Sequence, residues 1–171
     1  MAFTFEVNES QAFPPLPTLA ELIQKETKKV DFITSVTILN GFDYTVNGTV
    51  YHFSFGVEDQ SNFIQESVRA TAAAATPEGK RAYRAHWRGH KADGVDTLEF
   101  TYEEFMTLLM YCGTNKSNIL ASGWTKKGQL EACKTKLELE ALVKSLDLDV
   151  QVRDARDIYE KLVSDNELSG L

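Results

Sequence analysis

Residues 42–55, FDYTVNGTVYHFSF, decide the fold. Asn47-Gly48 sits at the centre of this stretch, with aromatic and small polar residues alternating on either side. A two-residue type I′ turn needs positive φ at both central positions, which Asn-Gly supplies more readily than other pairs. With Asn47 and Gly48 as the turn, Val46 faces Thr49, Tyr44 faces Tyr51 and Phe42 faces Phe53. Successive strand residues point to opposite sides. One face then carries Phe42, Tyr44, Val46, Tyr51, Phe53 and Phe55, the other Asp43, Thr45, Val50, His52 and Ser54. Such a hairpin has one apolar face, and that face needs cover.

The residues that follow supply it. Asp59 is placed to cap a helix running through Ala75, with Phe63, Ile64, Ser67, Val68, Thr71, Ala72 and Ala75 at helical spacing. Thr76-Pro77-Glu78-Gly79 stops that helix. Residues 83–88, YRAHWR, alternate like a strand, Asp93-Gly94 signals a turn, and residues 97–100 form a short partner strand. Thr101 and Glu104 make a capping box opening a helix with Phe105, Leu108, Leu109 and Cys112 inward. Residues 41–112 thus read as a ββαββα core of the α+β class, an antiparallel sheet packed by helices.

Two appendages flank this core. In residues 1–40, Phe3, Phe5 and Val7 alternate as a short strand, and FPPLP at 13–17 follows. Its prolines withhold amide donors and fix φ, so it reads as an extended arm; composition favours a spacer over a groove-binding ligand. Thr18 and Glu21 form a capping box for a short helix ending in the lysines of KETKK at 25–29. Residues 31–39, DFITSVTIL, are rich in β-branched side chains and read as a strand joining the same sheet. Beyond the core, GTNKSN at 113–118 breaks the helical pattern. An amphipathic helix is expected from Thr125 to Leu146, with Leu130, Cys133, Leu137 and Ala141 on one stripe and Leu139, Leu142 and Leu146 beside it. A shorter helix around Ala155, Ile158, Tyr159 and Leu162 completes the helical region 113–171.

The 171 residues carry a net charge of −7 and 43% hydrophobic side chains, which suits a globular protein and disfavours nucleic acid as partner. No stretch approaches the ~18 apolar residues of a membrane span, and MAFTFEVNES lacks the basic and apolar regions of a secretory signal. Cys112 and Cys133 stand apart without metal-ligand spacing and read as reduced, partly buried hydrophobes. His86 and His90 have the i, i+4 spacing of helical metal ligands, but on a strand they stand about 13 Å apart. His52 falls on the wet face of the hairpin, where exposure is expected. Lys80, Arg81, Arg84, Arg88 and Lys91 form a basic island, with Arg84 and Arg88 the candidates for contact with an anion. Pairing with the chain's own carboxylates is the simpler reading. Asp59, Asp93 and Asp96 are explained as cap and turn residues. No phosphate loop, nucleophile elbow, HExxH or Cys–His pair is present, so no enzyme activity, metal or cofactor is expected.

The hairpin residues Tyr44, Val46, Asn47, Gly48, Tyr51 and Phe53 are one part of a larger pattern. The cap residues Asp59, Gln60, Asn62 and Phe63, then Trp87, Leu98, Thr101, Glu104 and Phe105, complete it. Together they resemble a domain of unknown function found in small tail-fibre and baseplate-associated proteins of tailed bacteriophages and prophages. The resemblance covers residues 40–112 and consists of packing and capping residues, so it brings no catalytic residue with it. It implies a non-enzymatic virion component, made in the bacterial cytoplasm and bound at the baseplate, tail tip or fibre. Its expected partners are other tail proteins, met through the N-terminal arm and C-terminal helices: Phe13, Pro15, Leu16, Leu130, Leu137, Leu142 and Ile158. A second copy of the chain is a further expected partner. The alternatives are a tail-fibre assembly chaperone absent from the mature particle, and an anion- or saccharide-binding module using Arg84, Arg88 and Trp87.

Overall fold

The computed structural model describes residues 15–164. The expected strand at Phe3–Val7 and the candidate Phe13 lie outside them. Helix α1 (Leu19–Asn40) leads into strands β1 (Phe42–Val46) and β2 (Thr49–Phe53). Helices α2 (Val57–Ala73) and α3 (Pro77–Ala82) precede β3 (Ala85–Lys91) and β4 (Gly94–Phe100). Three helices close the described chain, α4 (Tyr102–Glu131), α5 (Lys136–Ser145) and α6 (Leu148–Ser164). The strands form one antiparallel sheet in the order β1-β2-β3-β4. The fold is α+β, though far more helical than the ββαββα core alone.

The β1–β2 hairpin has the register its sequence dictates, with Phe42 opposite Phe53, Tyr44 opposite Tyr51 and Val46 opposite Thr49. Asn47 (φ 51°) and Gly48 (φ 81°) both take positive φ, as a type I′ turn requires. Its inner face buries Phe42, Tyr51, Phe53 and Phe55 with Phe63 and Ala70 of α2, Tyr83, Phe100, and Phe105, Leu108 and Cys112 of α4. β2 and β3 share one registered pair, His52 with His90, so side-chain packing rather than a backbone ladder joins the two hairpins. A second core holds Val30 of α1, Leu130 of α4, Leu139 of α5 and Leu148 of α6, with Ile23, Ile33 and Leu142 beside them. α4 runs through both cores.

Several elements differ from the sequence reading. DFITSVTIL is the second half of α1, not a strand. Its buried residues Val30 and Val36 alternate with exposed Asp31 and Ser35 at helical spacing, because the segment packs on α4 and α6 instead of a sheet. Burial on two neighbours outweighs the few tenths of a kcal/mol per residue that β-branching costs a helix. GTNKSN likewise lies inside α4, which runs unbroken across residue 113. The expected Thr125–Leu146 helix is interrupted at Ala132–Thr135, where a new capping box of Thr135 and Glu138 opens α5. α1 and α4 pack closely at Gly123, where an added Cβ would stand 2.6 Å from Thr34 Oγ1.

Corrections of smaller reach concern α2 and the turns. α2 begins at Val57 with Gly56 as N-cap, and Asp59 sits three residues in, accepting the Gly56 N–H at 3.2 Å. The helix buries Phe63 and Ala70, while Ile64 and Val68 from the expected inner stripe face solvent. Pro77 starts the short helix α3 rather than only ending α2, with Thr76 Oγ1 accepting the Gly79 N–H at 3.0 Å. Thr18 with Glu21 and Thr101 with Glu104 form the capping boxes expected of them.

Candidate functional site

The residues expected to meet partners fall into two groups. Leu16 is 86% exposed and Leu137 77% exposed. Lys136 Nζ donates to the Pro17 carbonyl oxygen at 2.6 Å, so both leucines stand at the end of the molecule where α1 and α5 begin. Pro15 is exposed beside them. Leu130, by contrast, is fully buried in the second core and holds α4 against α1, α5 and α6. Leu142 packs half-buried against that same core, and Ile158 is half-buried on α6. An apolar stripe at helical spacing says that a residue will be covered, not whether its own chain does the covering.

A groove of about 690 Å³ runs between α1 and α6, near the exposed end. Phe32, Val152 and Tyr159 line it, with the Phe32 and Tyr159 rings edge-on at 6.1 Å. Lys25, Lys28, Lys29 and Arg156 stand on its rim against Glu21 and Glu160. An aromatic floor under a mainly basic rim suits an apolar segment that carries acids. The sequence pattern does not point to it, because it places Phe32 on a strand and only the helical pairing of α1 with α6 brings it to Tyr159.

The basic island is largely neutralised inside the chain. Lys80 pairs with Glu103 at 2.9 Å, Arg81 with Glu78 at 2.8 Å, Arg84 with Glu99 at 3.4 Å and Lys91 with Asp96 at 2.9 Å. Arg84 also donates to the carbonyls of Tyr83 and Arg81. Arg88 is exposed and has no hydrogen bond or ion pair among the described residues. It lines a polar cleft of about 690 Å³ between β3 and α2, with His86 and His90 on its own side and Glu58, Asp59, Asn62 and Glu66 opposite. Trp87 borders the same cleft as Arg88 while its ring packs 4.0 Å from that of Phe63; Arg84 does not line it. The cleft's acids offset its cations, which weakens any net pull on an anion.

Glu66 anchors the edge of this cleft. It accepts from Arg69 at 2.9 Å and from the Tyr83 hydroxyl. Burial alone would raise its carboxyl above the ordinary value of 4.5; the hydrogen bonds from Arg69 and Tyr83 more than offset this and hold it below. A depressed folded-state value stabilises the fold above the unfolded value and loses that stabilisation as pH falls through the folded one. Glu66→Gln is therefore expected to cost about 1–2 kcal/mol at neutral pH, and its difference from wild type should shrink on acidification below the ordinary value. Urea unfolding of both proteins across that range checks it; a difference that grows toward acid would contradict it.

His52 and His90 stand opposite each other across β2 and β3. His52 is half-buried rather than exposed, with Nδ1 2.8 Å from Asp43 Oδ1 and Nε2 2.7 Å from the Asn40 carbonyl oxygen. It thereby ties the end of α1 to the hairpin. His86 sits 3.2 Å from Glu99. Among the described residues no three His, Cys, Asp or Glu side chains could hold a metal ion together. Cys112 is buried and its thiol pushed up to about 11 by that burial, so it serves as a packing residue.

Other exposed apolar side chains were not foreseen as a group: Ile64 and Val68 on α2, and Met110 and Trp124 on α4. For α4 the signal was present, since residues 105–125 contain one charged side chain, Lys116. No family model, curated protein or solved structure matches the chain.

Proposed function

We propose that this chain is a non-enzymatic structural component of a bacteriophage tail, seated at the baseplate, tail tip or fibre attachment. It holds neighbouring virion proteins through the segment preceding α1 and through the helices that meet there. The observation that carries the interaction role is the pairing of exposed Leu16 and Leu137 at one end of the molecule, next to the Phe32–Tyr159 groove. Apolar residues left this open tend to mark contact sites, and permanent assemblies bury 2,000 Å² or more at roughly this kind of surface. The tail assignment rests on the resemblance of residues 40–112, whose hairpin, helix start and Trp-bearing strand form the core that presents these helices. No reaction is proposed for the chain.

Mass spectrometry of purified virions tests the reading. The chain is expected in the particle at a fixed ratio to other tail proteins, and Leu16→Asp with Leu137→Asp is expected to lower that ratio at least tenfold. Absence of the wild-type chain from purified particles would overturn it. The alternative, a tail-fibre assembly chaperone, uses the same exposed surface and predicts recovery with unassembled fibre but not with the finished particle.

A further inference from the structure

The groove between α1 and α6 collects cations that the described chain does not neutralise. Lys25, Lys28 and Arg156 on its rim are exposed, and none of them makes a hydrogen bond or ion pair among the described residues. Lys29, the fourth cation there, is already held between Glu26 and Asp149 at 2.7 Å each. Of the groove's acids, Glu21 is engaged in the α1 cap, where its Oε2 accepts from the Thr18 N–H at 2.7 Å and from the Thr18 hydroxyl at 2.8 Å. Among the lining residues that leaves Glu160 facing three unpaired cations, in a chain whose net charge is −7. Beneath them lies the floor of half-buried Phe32 and Val152 and exposed Tyr159.

The chain itself supplies a segment of opposite charge with a matching apolar side. Residues 1–14 contain Glu6 and Glu9 and no Lys or Arg, and Phe3, Phe5 and Val7 alternate there with polar residues. Extended at about 3.3 Å per residue, Phe3 to Val7 span about 13 Å with all three apolar side chains on one side. The floor has nearly the same length: Gln24 to Phe32 on α1 rises about 12 Å and Val152 to Tyr159 on α6 about 10 Å. Residues 8–17 can span about 33 Å, and the groove begins at Glu21, within one turn of Thr18, so this link is long enough to turn back along α1. A tether of this length holds the segment at an effective concentration on the order of millimolar, so contacts too weak to recruit a separate acidic peptide suffice. We propose that residues 3–9 of this chain occupy the α1–α6 groove, with Phe3, Phe5 and Val7 on the Phe32–Tyr159 floor and Glu6 and Glu9 against the Lys25, Lys28 and Arg156 rim. The proposal does not rest on the tail assignment, and Leu16, which belongs to the link, stays exposed under it.

Photo-cross-linking in the full chain tests it. With Phe5 replaced by benzoylphenylalanine and the protein irradiated in dilute solution, the single-chain band is expected to carry cross-links to peptides holding Phe32 or residues 152–159. Lys28→Glu with Arg156→Glu should lower that yield about fivefold or more, and Glu6→Lys with Glu9→Lys added to the same chain should restore most of it. Both rim residues are exposed and unpaired among the described residues, so unchanged far-UV circular dichroism is expected to accompany the loss. Cross-links from residue 5 to another surface, as when the acidic residues 165–171 fill the groove instead, or no cross-link at all, would overturn the proposal. So would cross-links formed between chains, which make a second copy the occupant, or a charge-reversed rim that cross-links like the unaltered one.

Discussion

Phe53→Ala is expected to remove about 3–5 kcal/mol of stability, the range for truncating a fully buried aromatic, out of the roughly 5–15 kcal/mol a domain usually has. Phe53 is wholly buried at the junction of the two hairpins. Its ring stacks on Phe42 at 5.6 Å, and stands 6.5 Å from Tyr44 and 6.4 Å from Phe100 at the end of β4. Because β2 and β3 share a single registered pair, contacts such as Phe53–Phe100 do much of the joining that a ladder would do elsewhere. The cavity would open where the surroundings are least able to collapse without separating the hairpins. Val50→Ala, on the exposed face of the same strand, should stay within about 0.5 kcal/mol. Urea unfolding followed by far-UV circular dichroism separates the two; a Phe53→Ala cost below 1 kcal/mol would show that the hairpins are held by something else.

Gly41→Ala is expected to cost about 3 kcal/mol or more, from a single methyl group. Gly41 joins α1 to β1 at φ 95° and ψ −148°, a conformation that side chains rarely adopt, and its N–H closes on the Ile38 carbonyl at 3.1 Å. A Cβ there would stand 1.9 Å from the Phe53 carbonyl oxygen and 2.9 Å from its carbon. Those are backbone atoms of the paired strand, so no rotamer change relieves the clash; the hairpin has to move off the helix end. Gly48→Ala is the comparison. Gly48 also has positive φ, but no described atom lies within 4 Å of its added Cβ, so only the backbone term of about 1 kcal/mol applies. If the two variants unfold at the same urea concentration, the clash at Gly41 is not what fixes this joint.

His52 shows how the candidate surfaces depend on that joint. By parity it belongs to the wet face, and there it stands, yet it is engaged by Asn40 and Asp43 because Gly41 folds the end of α1 over it. Leu16 and Leu137, both named among the expected partner-facing residues, were left exposed, Leu137 because the expected stripe with Leu130 and Cys133 breaks at Ala132–Thr135 before α5 opens. Leu130 and Leu142 were not. Their spacing is that of any amphipathic helix, and the neighbours that cover them, Val30 and Leu148, come from distant parts of the chain.

What the sequence determined by itself is the part governed by local chemistry. Asn47-Gly48 sets a turn and its register, and a one-residue slip of either strand would carry that strand's apolar set to the opposite face. Thr18–Glu21 and Thr101–Glu104 set helix starts, because each box satisfies its own backbone donors. What only the tertiary structure decided is the state of segments whose local preference opposes their fold. DFITSVTIL favours strand and GTNKSN favours a break, yet both are helical in α1 and α4, which pack on one another at Thr34 and Gly123. α1 buries its apolar residues only with α4 and α6 beside it, and α4 carries GTNKSN between the core it shares with the sheet and the core it shares with α1. Propensity differences of tenths of a kcal/mol per residue cannot register that, while burial worth about 25 cal/mol per Å² settles it.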